Sequence, residues 1–374
     1  MTGQWREFDW NGRTARSWMP DPLGSRDFDF PPATIRAAEQ ATAAIALSDR
    51  ARPPHWEPLA RLLLRTEGIA SSSIEGVRAP VVDIAIAELA PALGDAGWVA
   101  DNLAAATHAM NEQGPLSAEH LHRWHAELIG HSALAPEMIG AFREAPSWIG
   151  GTSPLDAAFV PPPGDAVPDL VDSLIDYANS DHFDPVTQAA LVHAQFETIH
   201  PYGDGNGRLG RILIGWVLRR RGVTAELPPP ISVLIGRDPG GYISGLHLFR
   251  EGPTDSYVRW FADVAKAAAA QSTTMIQIAS ETVSDWESEV ADLRADAAAR
   301  TLVPLLPRTP VLTASIAADL VNTSERSGRT ALELLEDRGI LVAVEPHSLV
   351  TRRGRTPNYY AATKLLDAIA GWAT

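Results

Sequence analysis

The chain has 374 residues, 45% hydrophobic and 21% charged, so it is long enough for two or three domains and too apolar for disorder. A formal net charge of −15 argues against nucleic-acid binding through a broad basic surface, and the lack of cysteine excludes disulfides, Cys-ligated zinc and thiol catalysis. No apolar run approaches a membrane span and the start, MTGQWREFDW, lacks an apolar signal core, so a soluble cytoplasmic protein without membrane contact is expected.

The first 30 residues, aromatic, acidic and punctuated by Pro and Gly, read as an irregular lead-in. Helical spacing follows from the Pro pair at 31–32 through Leu47, from Pro58 to about Gly68, from about Pro80 to Leu93, over Val99–Glu112 and over Ser117–Ile129, the last with Ser117 and His120 as an N-cap pair. The stretch Gly140–Gly164 changes to turn signals between short apolar runs, the pattern of a β-hairpin or extended flap. Helices resume at Val167–Asn179, Pro185–Ile199 and about Gly207–Arg221. PPPISVLIGRDPGGY reads as a loop, and helices follow at Tyr242–Phe249, Asp255–Gln277 and Glu281 to about Arg300. LVPLLPRTP reads as a linker. Beyond it a helix, turn, helix and strand precede an Arg-rich tip and a second strand.

The chemistry concentrates in IHPYGDGNGRLGR, Ile199 to Arg211, where glycines interrupt two apolar helices. A helix starting near Gly205–Gly207 leaves backbone N–H groups unpaired and presents its positive dipole end to an anion. Arg208 and Arg211, three apart, share the face beside that anion and suit phosphate oxygens. Asp204 stands where a divalent ion could be held against the phosphates, and His200 ends the preceding helix with a ring able to act as a base near neutral pH. The ordered set describes a polyphosphate cradle with a metal ligand and a base.

His200-Pro201-Tyr202-Gly203-Asp204-Gly205-Asn206-Gly207-Arg208-Leu209-Gly210-Arg211 resembles the signature of the Fic (filamentation induced by cAMP) family, H-x-F-x-[DE]-G-N-G-R-x-x-R, with Tyr202 in place of Phe as the one departure. The preceding HAQFETIHPY also looks like the family. The resemblance implies a mainly α fold: an N-terminal helical region (1–112), a Fic-type helical core with a β-hairpin flap (113–300) and a small C-terminal winged helix (305–374). It implies His200 as general base toward an acceptor hydroxyl, Asp204 as the Mg²⁺ ligand, Gly205, Asn206 and Gly207 as the anion hole, and Arg208 and Arg211 on the β and γ phosphates of ATP. Most Fic enzymes transfer AMP from ATP to Ser, Thr or Tyr of a target protein, a reaction that needs mainly positioning and charge neutralisation.

Ser71-x-x-x-Glu75-Gly76 matches the family's inhibitory pattern, [ST]-x-x-x-E-[GN], which implies a carboxylate on Arg211 that denies it to the γ-phosphate. By itself the pattern is equally a capping serine before a surface glutamate. Ile149, Gly150, Gly151, Phe159 and Val160 lie in the segment that resembles the flap, where an extended target segment docks by backbone pairing; a plain surface hairpin has the same pattern. Tyr242 sits where relatives often place an aromatic against the nucleoside, and a buried core tyrosine would read the same.

In the C-terminal module Ser324 is an N-cap for a second helix exposing Arg326, Arg329 and Thr330, with Arg352, Arg353 and Arg355 at the tip of a wing. Glu325, Glu333 and the acidic body favour a protein-docking or dimerisation module over a DNA-binding one. The resulting expectation is an ATP- and Mg²⁺-dependent protein adenylyltransferase acting on a target protein or on itself, autoinhibited by Glu75 and with a de-AMPylating activity also open. A nucleotide-sensing, DNA-binding regulator is the alternative, and a homodimer is expected from family habit alone.

Overall fold

An antiparallel hairpin opens the chain, β1 (Gly3–Trp10) and β2 (Arg13–Pro20), in register from Gly3↔Pro20 to Trp10↔Arg13. The irregular lead-in expected there is corrected. Asn11-Gly12, with φ of 52° and 78°, is a two-residue turn whose twist matches the strands, the strongest short hairpin signal a sequence carries. The computed structural model describes residues 3–50, 53–90, 92, 94–132, 134–225, 229–345 and 357–373.

Helices follow in order: α1 (Pro32–Arg50), α2 (Trp56–Ile74), α3 (Val81–Ala87), α4 (Asp95–Asn111), α5 (Ala118–Leu128), α6 (Val167–Ala178), α7 (Pro185–Ile199), α8 (Asn206–Arg220), α9 (Ile231–Arg237), α10 (Pro239–Glu251), α11 (Thr254–Glu289) and α12 (Ala298–Leu302). Ser117 caps α5 in a reciprocal box with His120, as the sequence suggests. Nearly every residue of α7 is buried, so α7 has no solvent face and lies at the centre of the bundle. Its apolar partners come from α1, α5, α6, α8, α10 and the first half of α11.

Three expectations change. PPPISVLIGRDPGGY holds the short helix α9, with Ile231, Val233 and Ile235 buried. The two helices expected over 255–300 are largely one, α11, which runs unbroken through Ala279 because no Gly or Pro interrupts it. At 36 residues it is roughly 54 Å long and contributes to both hydrophobic clusters of the chain. The supposed linker is also structured, with Leu302, Val303 and Leu306 fully buried in α12 and the 3₁₀ turn after it. Those residues pack into the cluster that holds α2, α3 and the C-terminal elements.

Those elements are β3 (Val311–Leu312), α13 (Ala314–Leu320), α14 (Glu325–Asp337), β4 (Val342–Val344), β5 (Tyr359–Ala361) and α15 (Thr363–Ala373). The strands form an antiparallel sheet in the order β3-β5-β4 beside the helix–turn–helix pair. Ser324 caps α14 by accepting the Ser327 N–H at 3.2 Å. Arg326, Arg329 and Thr330 are exposed, and Arg329 is paired with Glu325 at 3.3 Å. Arg352, Arg353 and Arg355 lie outside the described residues.

The predicted flap hairpin is reduced to one antiparallel bridge, Ile149↔Phe159, with N–H···O distances of 2.8 and 3.2 Å. Prolines at 154 and 161–163 remove ladder donors on either side. The segment is nonetheless extended by a neighbour the sequence does not announce. The Trp18 N–H of β2 donates to the Val160 carbonyl at 2.8 Å, so the N-terminal hairpin lies beside the flap.

Candidate active site

Helix α7 ends at His200, whose φ of 51° is left-handed, although its N–H still closes the last turn on Phe196 at 2.8 Å. Such a conformation is costly without glycine and persists where neighbours fix it. The fixing group is Arg143, absent from the sequence reading. Its Nε donates to the His200 carbonyl (2.7 Å), Nη2 to Ile199 (3.1 Å) and Pro162 (2.7 Å), and Nη1 to Ala145 (3.2 Å). Its own N–H donates to the Pro201 carbonyl at 2.9 Å. One buried guanidinium therefore ties both ends of the flap segment to the turn that carries His200. Burial pushes Arg143 down to about 10, leaving it charged at neutral pH. A signal existed in GAFREAP, where an arginine follows apolar residues at the flap entry, but periodicity gives no reason to bury it.

Burial, with Arg143 adding to it, pushes His200 down to about 4 against the pull of Glu75, the Glu197 backbone and Asp204. The imidazole is neutral at pH 7 and able to accept a proton.

The loop after it is held from below. Asn206 Oδ1 accepts the Tyr202 N–H and its Nδ2 donates to the Tyr202 carbonyl, both at 2.8 Å. The Tyr202 ring stacks on His125 with centroids 3.9 Å apart, and its hydroxyl lies 3.1 Å from His122 Nδ1. The added hydroxyl at this position thus has a partner. His125 Nδ1 accepts the Gly140 N–H at 2.9 Å, so its Nε2 carries the proton and donates to the Asp204 carbonyl at 3.1 Å. Burial pushes His125 down to about 4, consistent with this neutral tautomer.

At the start of α8, with Gly205 as the cap residue, no side chain caps the helix. The amides of Asn206, Gly207 and Arg208 face the loop as an anion seat. That seat is filled by a side chain of the protein: a β-carbon on Gly207 would collide with the Glu75 carboxylate. Glu75 lies at the C-terminal end of α2, which runs on through the SSSI segment. Arg211 Nη2 donates to Glu75 Oε1 at 2.7 Å and to the Ser71 carbonyl at 2.8 Å, and Nε donates to Ser71 Oγ at 2.9 Å. Burial pushes Glu75 up, but the Arg211 guanidinium outweighs it and holds the carboxyl below its usual value. Gly76, next in the pattern, takes φ of 80° as the chain leaves the helix.

Arg208 is 5% exposed, and its Nη2 lies 3.9 Å from Asp204 Oδ1. The Asp204 carboxylate accepts the Gly205 N–H at 2.6 Å and is otherwise mostly open to solvent. Among the described residues no cluster of three or more His, Asp or Glu could hold a metal. A single exposed carboxylate beside an anion seat still fits Mg²⁺, which is commonly held by one or two carboxylates, water and substrate phosphates.

Tyr242 lies beneath the site rather than in it. It is buried, with its hydroxyl 3.0 Å from His193 Nε2 and its ring against His193 and Trp260, so it offers no free face to a nucleoside. Beside it, burial pushes Glu197 up to about 8 despite Arg211, so this carboxyl is protonated at pH 7. In the flap, Ile149, Gly150 and Gly151 are exposed, while Phe159 and Val160 are buried with Arg250 stacked over the Phe159 ring at 3.8 Å.

Residues 115–218 match the family described as Fic/DOC, and the match contains His200, the loop and both arginines. This stretch is a Fic domain. Proteins called protein adenylyltransferase Fic from Drosophila willistoni and Drosophila melanogaster are each 34% identical to the chain over 142 residues. Those residues are 37% of this chain and 26% of the relatives, so the alignment spans about a quarter of their length. A crystal structure of a Fic family protein from Desulfovibrio desulfuricans superposes with a TM-score of 0.56 at 19% identity, covering 89% of this chain and 97% of that one. A Fic domain containing signaling protein from Bacteroides thetaiotaomicron gives 0.52 at 17% identity, over 64% and 97%. Both likenesses establish the mainly helical fold. Ser71 and Glu75 lie outside the matched stretch, so the contact of Glu75 with the Fic domain is a feature of this chain's own packing.

Proposed function

We propose that the protein is an ATP- and Mg²⁺-dependent protein adenylyltransferase held down by its own Glu75. The carrying observation is the uncapped α8 N-terminus that follows His200 within six residues and is flanked by two buried arginines. The Drosophila relatives named as adenylyltransferases support the same chemistry.

In this reading the acceptor hydroxyl of a target protein lies beside His200, presented by a segment lying along the exposed flap edge at Ile149. Its oxygen forms a bond to the α-phosphorus of ATP, its proton passes to the neutral His200 ring, and the bond to the bridging oxygen breaks to release pyrophosphate. The backbone amides of α8 and Arg208 stabilise the charge spread over the phosphate oxygens. Asp204 is the residue that would hold Mg²⁺, which supplies further charge neutralisation at the phosphates. Arg211 takes the γ-phosphate once Glu75 has left it. Until then the Glu75 carboxylate repels that phosphate from the same seat.

The test is incubation of Glu75→Gly with Mg²⁺ and ATP labelled on the α-phosphate. Self-labelling that exceeds the wild type and vanishes in Glu75→Gly/His200→Ala is the expected result. Absence of label on the protein and on any target in a lysate would sink the transferase reading.

A further inference from the structure

Beyond the phosphate cradle lies a pocket of about 300 Å³ walled mainly by Trp98, Leu128, Ile129 and Leu134, with Ser132, Asp204 and Arg208 also in its lining. His200, Gly207 and Arg211 do not line it, so it shares only Asp204 and Arg208 with the cradle. The aromatic wall is braced. The Trp98 indole N–H donates to the His131 carbonyl at 2.9 Å, and Asp101 holds both the His131 N–H (3.2 Å) and its ring nitrogen (2.7 Å). Arg208 is buried along its length, and its Nε has no partner among the described residues.

A pocket of this size far exceeds a phosphate group and reaches the lower range of small-molecule sites. Apolar walls make a poor seat for a phosphate, whose oxygens would lose water without gaining donors. They suit a planar ring, which an indole face stacks well, while the arginine in the same lining binds the phosphate to which that ring is tethered. We propose that this pocket binds a planar aromatic group carried on the far phosphate of the nucleotide, so that the chain accepts dinucleoside diphosphates, two nucleosides joined through a two-phosphate bridge. The proposal rests on the nucleotide reading of the cradle.

The experiment is calorimetric titration of the full chain, with Mg²⁺, against ADP and against diadenosine diphosphate. The dinucleotide is expected to bind at least about tenfold more tightly, the gain from one stacked base. Trp98→Ala should erase that advantage and Trp98→Phe should keep most of it, with ADP affinity unchanged in both as the check on folding. Leu134→Trp, which fills the pocket instead of opening it, should erase the advantage as well. Glu75→Gly, which opens the shared anion seat to both ligands, should keep the ratio of the two affinities while raising that for ATP. Equal binding of ADP and the dinucleotide, or an advantage that survives Trp98→Ala and Leu134→Trp, overturns the pocket assignment and leaves the cradle standing. If neither nucleotide binds, even to Glu75→Gly, the nucleotide reading falls and takes the pocket with it.

Discussion

Glu75 and Arg211, 136 residues apart, meet at 2.7 Å over the N-terminus of α8. The carboxylate occupies the place where a phosphate would find both the helix amides and the guanidinium. Glu75→Gly should raise AMP incorporation at least ~10-fold, about 1.4 kcal/mol of relief. Glu75→Gln, which keeps a hydrogen-bonding group but loses the charge, should fall between. Initial rates of label incorporation at fixed ATP decide the order. The pH dependence has a definite sign: a carboxyl held below its usual value stays ionised until the pH falls below the ordinary carboxylate range, so inhibition persists at pH 6.

Ser71 supplies two of the three oxygens that hold Arg211, one from its side chain and one from its backbone. Ser71→Ala removes the acceptor of Nε but leaves the carbonyl and Glu75 in place. A smaller activation than that of Glu75→Gly is expected, together with a stability loss of about 1–3 kcal/mol from the unsatisfied buried donor. Chemical denaturation alongside the rate assay separates the two effects.

Arg143 acts on the site through His200. Lysine cannot reach four carbonyls, so Arg143→Lys in the Glu75→Gly background should lower kcat by about 10²-fold while changing the KM for ATP little, because α8 is not braced by it. Arg143→Met adds a test that mere loss of packing does not meet. Removing a positive charge that pushes His200 down lets its pKa rise, so the acid limb of kcat/KM should move to higher pH. An unmoved limb would falsify the electrostatic part of this role.

Glu197 is a buried acid pushed up to about 8, so the unfolded chain binds fewer protons than the folded one between about pH 4.3 and 8. The stability it forfeits grows as the pH rises through that window. Glu197→Gln removes the titration while keeping the shape, and should stabilise the chain by about 3–4 kcal/mol more at pH 8 than at pH 5. Urea midpoints at the two pH values give the answer, and equal shifts would show that Glu197 is ionised in the fold.

Tyr202→Phe restores the usual aromatic of the motif. The ring stack on His125 is kept and only the half-buried contact with His122 is lost. Stability should change by no more than about 1 kcal/mol and transfer activity should be unaltered.

Much of this was legible in the chain because the relevant signals are local. The apolar period of α7 and α8, the glycines between them and the charges at fixed offsets mark a helix–anion seat–helix unit without any knowledge of the rest. The N-terminal hairpin was just as local, since Asn11-Gly12 is a turn dipeptide between strand formers, and the composition of its surroundings hid it. The burial of Leu302, Val303 and Leu306 was less accessible, because repeated prolines look the same in a linker as in a packed turn.

The sequence by itself determined which groups could bind phosphate and accept a proton, since those capacities belong to side-chain chemistry and helix ends. It also raised Glu75 as a partner for Arg211, though only by resemblance. The tertiary structure decided which groups meet. It set the Glu75 carboxylate against Gly207, gathered four carbonyls around Arg143 and withdrew Tyr242 behind the site. It also opened a walled pocket past Arg208. Those outcomes depend on how helices far apart in the chain pack together, and helical periodicity states which face is apolar without stating what that face will touch.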